Sequence, residues 1–154
     1  MIELRQTAKL FLRLTIVASM LSSVADRFGI WAKEVCMWGD MDKFVAYTQS
    51  LIPYIPADVV PILAWTATVL EVLFSICLLV GLKLKWTASL TGLMILVFAI
   101  AMATSVGIKA PLNYSAFTAS AAAFAILSCG RGIWEVDNLF GNRYNRRERI
   151  QMIR

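Results

Sequence analysis

Glu71 is the residue of this chain that most needs a chemical explanation. It stands near the middle of Val59 to Leu82, VVPILAWTATVLEVLFSICLLVGL, a run with no other charged residue. A carboxyl group at bilayer depth costs about 2.5 kcal/mol or more even on lenient insertion scales, so it must be paired, hydrogen-bonded or protonated. In that setting an acid carries protons, counters a substrate's charge, or anchors one helix to another. Ala64, Ala67, Thr68, Glu71 and Ser75 share one helical face, small or hydroxyl-bearing throughout, which is the face expected to turn inward. Arg13 lies roughly 6 Å from the Glu71 level if both segments are centred and untilted, so an Arg13–Glu71 pair is expected as the catalytic candidate. The alternative is that Arg13 snorkels to the headgroups and Glu71 bonds Thr68, Ser75 or Tyr114.

Two other groups of residues invite chemistry. Asp26, Lys109, Asn113 and Tyr114 fall on one side of the expected membrane, where they would line a polar substrate or partner pocket; Arg27, beside Asp26, is expected to settle in the interface. Cys77 and Cys129 fall at similar depths, so a redox dithiol is geometrically conceivable. No CxxC motif and no neighbouring charge supports it, and small buried hydrophobes are the ordinary reading of the three cysteines, Cys36 included. Histidine is absent, which removes the commonest ligand for zinc, copper and haem. No metal or cofactor bound by the chain itself is expected.

These residues need a membrane to position them. The chain of 154 residues is 59% hydrophobic and 16% charged, more apolar and less charged than globular averages, which assigns the excess to lipid. The expected fold is all-α: a polytopic bundle of four transmembrane helices at about 10–28, 59–82, 86–108 and 111–129, one membrane domain over 1–130. Between the first two, Phe44, Tyr47 and Leu51 recur at helical spacing and predict an interfacial amphipathic helix, with Trp31, Trp38 and Tyr54 as headgroup anchors. Asp58 is expected to cap the second span, whose first turn holds Pro61. The third span carries a stripe of Ser89, Gly92, Ala99 and Ala103, suited to close helix approach; the fourth, rich in Ala and Ser, is placed inside the bundle. The first segment also fits a signal peptide, with Ser23-Val24-Ala25 as a cleavage site, but Arg13 within the apolar core and the continuing pattern Thr15, Ser19, Ser22, Asp26 favour a retained helix.

The net charge of +5 follows topology rather than nucleic-acid binding. With four spans, Arg5, Lys9, Lys83, Lys85 and the arginines of a basic tail at 131–154 share one side, against Arg27, Lys33, Lys43 and Lys109 on the other, so both termini are expected to be cytoplasmic.

Laid out this way, the chain resembles the DoxX/DoxD-like family of small bacterial inner-membrane proteins. The resemblance rests on LFLRL, SSVADRFGIW, FVAYTQSLIPYIP, LAWTATVLEVLFSICLLVGLKLKW, FAIAMA and GIKAPLNYSAFTASAAAF. It implies a four-helix membrane bundle. It also implies a role as a non-metal subunit or partner of a redox complex, quinone- or thiol-linked, with quinone contact and partner oxidoreductase subunits in a homo- or hetero-oligomer. The alternative it carries is a non-catalytic accessory, scaffold or chaperone-like protein that binds partner subunits or lipid. Where many such chains have Gly-x-x-Lys at the end of the first helix, this one has Ser23-Val24-Ala25-Asp26-Arg27.

Overall fold

The computed structural model describes residues 2–130 and 135–137, and among them every regular element is helical. Three helices form the frame: α1 (Ile2–Arg27), α3 (Val60–Val80) and α4 (Leu84–Ser105). They are long and apolar enough to cross a membrane; at about 1.5 Å per residue, α3 and α4 each reach just past ~30 Å of hydrocarbon. Large apolar side chains such as Leu73 and Ile76 on α3 and Leu93 and Val97 on α4 point outward, as expected where the solvent is lipid. Inside, Ile16, Val17 and Met20 of α1 meet Leu78, Leu84, Ala88, Ala123 and Ile126 in a dry core.

The fourth span departs from the expectation of one helix over 111–129. The chain forms a short α5 (Lys109–Asn113), breaks at Tyr114 and Ser115, and resumes as α6 (Ala116–Ser128). Ser115 sits in the left-handed region at φ 54°, which ends one helix and starts another. Asn and Ser hydrogen-bond locally to backbone and so favour such a break over helix interior. Alone, α6 rises only about 20 Å, so among the described residues three helices rather than four have spanning length. The contact between α6 and α4 is nonetheless the most extensive between any two elements. There the ring of Phe124 lies over Gly92, and the Ser120 hydroxyl donates to the Gly92 carbonyl at 2.8 Å.

The amphipathic segment forms α2 (Met41–Leu51), capped by Asp40, whose carboxylate accepts from the Lys43 N–H at 2.8 Å. Phe44 and Leu51 are buried, and the Ser105 hydroxyl donates to the Leu51 carbonyl, fastening α2 to the end of α4. Asp58 does not cap α3: its N-cap position is Val59, with no side-chain hydrogen bond there.

At the opposite pole α3 ends at Gly81, in the left-handed region at φ 71°, where a Cβ would also strike the Glu135 backbone. Cys77 O accepts from Gly81 N and Leu82 N, and Val80 O from Val136 N. Glu135 and Asp137 thus bring the far end of the chain back onto the bundle. The Asp137 carboxylate accepts from Lys83 N and Leu84 N at 2.7 and 2.8 Å and caps α4 from a distance in sequence. Of the basic tail read over 131–154, all but Glu135, Val136 and Asp137 lies outside the described residues.

Candidate functional site

Glu71 is buried, 5% exposed, and its partner is Arg27 rather than Arg13. The Arg27 guanidinium lies side-on to the carboxylate: Nη2 donates to Oε1 at 3.0 Å, and Nη1 stands 2.7 Å from Oε2, an ion contact without hydrogen-bond alignment. Nη1 instead directs a hydrogen bond at the Thr68 hydroxyl, 2.8 Å away, which in turn donates to Ala64 O. Above the guanidinium lies the ring of Phe44, 3.7 Å from the carbon to the centroid, with the Trp38 ring at 5.6 Å. A single cation therefore binds one carboxylate, one hydroxyl and two aromatic faces while only 3% exposed.

Arg13, the partner expected from the sequence, does different work. Its Nε donates to Leu78 O at 2.8 Å and its Nη2 to Leu79 O at 2.9 Å. These belong to the last turn of α3, whose carbonyls have no intrahelical donors and carry the negative end of the helix dipole, so a guanidinium is drawn there. Near it Lys9 pairs with Glu135 and donates to Gly130 O, forming a second buried ionic cluster at the N-terminal pole.

The expected pocket is partly assembled. Asp26, 8% exposed, accepts from the backbone N–H groups of Met37 at 2.8 Å and Gly39 at 3.1 Å, and so folds the loop after α1 back over that helix's end. This loop delivers Trp38 to Arg27 on one side and, on the other, walls a cleft of about 370 Å³ lined by Ser22, Ser23, Asp26, Trp31, Val35, Met37, Trp38 and Tyr114. Tyr114 and Asp26 share the cleft; Lys109 and Asn113 are exposed and do not line it. Thr68 joins the ion pair, and Ser75, wholly buried, lies one turn further along α3. Cys77 and Cys129 are half-buried free thiols, as is Cys36. Among the described residues no cluster of His, Cys, Asp and Glu could hold a metal.

The DoxX family model matches residues 8–105, which take in most of α1 and all of α2, α3 and α4, and with them every residue of the ion pair and its aromatic cover. The chain belongs to the DoxX family. No curated protein and no solved structure matches it. In this DoxX chain the sequence pointed to Glu71 but not to its partner. Arg27, Phe44 and Trp38 were each legible only as interface residues, because what unites them is the loop that Asp26 ties down. The one available signal was Arg27 itself, a long cation at the end of a span, whose side chain leans back along its own helix.

Proposed function

We propose that this DoxX protein is a non-metal membrane subunit of a redox complex that presents a quinone to a partner oxidoreductase. The observation that carries the reading is the cleft beside the ion pair. Trp31, Trp38 and Tyr114 offer flat apolar faces for a ring, and Ser22, Ser23 and the Tyr114 hydroxyl offer polar groups for its carbonyl oxygens. The partner supplies the electrons. On this reading α5 and α6 together make a fourth, broken span, both termini face the cytoplasm of a bacterial inner membrane, and the outward apolar faces meet lipid and partner subunits. Two measurements test it. Titrating purified protein in nanodiscs with a short-chain quinone is expected to quench tryptophan emission, with loss of quenching in Trp38→Leu; absence of quenching, together with no oxidoreductase copurifying from native membranes, defeats the proposal. Impermeant thiol labelling is expected to reach Cys36 and Cys129 from opposite sides of the membrane, and labelling from one side defeats the four-span topology.

One observation favours a second reading, a non-catalytic accessory or scaffold protein. Glu71 is held by Arg27 in the manner of a structural tie between α1 and α3. Under that reading Glu71→Gln impairs assembly with partner subunits; loss of turnover in an intact complex argues for the redox role instead.

A further inference from the structure

Phe44 and Trp38 lie against the Arg27 guanidinium, with ring centroids 3.7 and 5.6 Å from its carbon. Elsewhere in the bundle Ser75 Oγ and Thr91 Oγ1 are buried polar atoms with no hydrogen-bond partner among the described residues, as is Arg27 Nε, while Glu71 Oε2 has only its 2.7 Å ion contact with Arg27 Nη1. Ser75 and Thr91 are both wholly buried. Ser75 precedes Gly81 by six residues on α3 and Thr91 follows Leu84 by seven on the antiparallel α4, so they lie about 9 and 10.5 Å from the turn that joins the two helices, at similar depths. Ser75 is also one turn from Glu71 on the same face, within reach of the same small volume. Buried hydroxyls that bond nothing in the protein are ordinarily satisfied by internal water, which needs two to four polar partners.

We infer that Glu71, Ser75 and Thr91 enclose a buried hydration niche in which Glu71 takes up a proton, exchanging its pairing with Arg27 for hydrogen bonds within the niche while Phe44 and Trp38 retain the guanidinium. The step balances simply. An O–H bond of a hydronium ion breaks, an O–H bond forms on the Glu71 carboxylate, water remains, and no electron moves. The charged groups around Glu71 are few. α1 contributes Arg27 at the pair, the buried Asp26 beside it, held by the Met37 and Gly39 N–H groups, and Arg13 at Leu78 and Leu79; on α2 Tyr47 is half-buried, while Asp42 and Lys43, like Lys85 of α4, are exposed; α6 has no charged residue. The dry core of Ile16, Val17, Met20 and Leu78 closes the N-terminal pole, so the proton arrives from the side of Trp38 and the cleft. This inference stands whether or not a quinone occupies that cleft.

The test is pH-difference infrared spectroscopy of the full chain in nanodiscs between about pH 5 and about pH 9. A carboxylic-acid C=O band is expected to grow on acidification, to vanish in Glu71→Gln, and to move to higher wavenumber in Ser75→Ala/Thr91→Val as hydrogen bonds to the acid are lost. Should Glu71→Gln fail to fold, glutamate labelled with carbon-13 and the hydroxyl variants assign the band. Absence of any such band overturns the proposal. A band that Ser75→Ala/Thr91→Val leaves unmoved overturns the niche.

Discussion

Arg27 and Glu71 make the heaviest single demand on stability at the level of the side chain. Breaking a buried pair by removing one partner strands the other charge, at a cost of about 3–5 kcal/mol, whereas replacing both by apolar groups of similar size is often neutral. Glu71→Leu is therefore expected to destabilise by that amount in equilibrium unfolding in mixed micelles, and Arg27→Met/Glu71→Leu to recover most of the loss. A double-mutant cycle separates the two arginines: Arg13 and Glu71 should couple by less than about 0.5 kcal/mol, Arg27 and Glu71 by more than about 1.5 kcal/mol. The acid was legible in the sequence because nothing else charged shares its segment. Its partner was not, because α1 begins at Ile2 and not near 10, and packs with Arg13 level with Leu78, too far along α3 to reach Glu71. Burial and spacing identify a buried charge; only the register between two helices says what answers it.

At the level of the helix, ends matter more than interiors. α3 hands its final carbonyls to Arg13, Val136 and its own Gly81 turn, and α4 takes its N-terminal cap from Asp137. Asp137→Ala is expected to cost about 1 kcal/mol, the usual worth of a capping carboxylate, and to raise hydrogen exchange at Lys83 and Leu84. α2 gives the pH-dependent case. The Lys43 backbone N–H, and then its ammonium, hold the Asp40 carboxyl below the ordinary carboxylate value. A depressed carboxylate stabilises the fold above its unfolded-state pKa and loses that contribution as pH falls through the lower folded value. Fraying of α2, read by amide exchange at Lys43 and Phe44, should therefore set in only on strong acidification. Asp40→Asn should make the exchange independent of pH across that window once intrinsic exchange rates are divided out. The spans α3 and α4 were readable from hydropathy and α2 from its period; the break at Tyr114 and Ser115 was not, because one residue turning left-handed leaves no mark on the apolar pattern.

At the level of the whole molecule, the outward faces of α3 and α4 are too apolar for water. Leu73, midway along α3 and 53% exposed, is a direct probe. Leu73→Arg places a charge near the bilayer centre at about 2.5–3.5 kcal/mol on insertion scales, and the expected outcome is reduced membrane integration in an alkaline extraction assay. The same substitution at Trp86, 73% exposed at the pole where α4 begins, should be tolerated, since a cation there reaches the headgroups. A basic, strongly apolar chain was enough to point to a membrane protein. Composition is silent about what the bundle is for, since lipid and a partner helix ask for the same side chains.

Glu135 and Asp137 sit where the two earliest long hairpin arms are waiting to be finished. During synthesis α1, α3 and α4 leave the ribosome well before these two acids do, so Lys9 emerges without its counter-ion and α4 without its cap. The nascent bundle therefore lacks these two ties until Glu135 and Asp137 emerge.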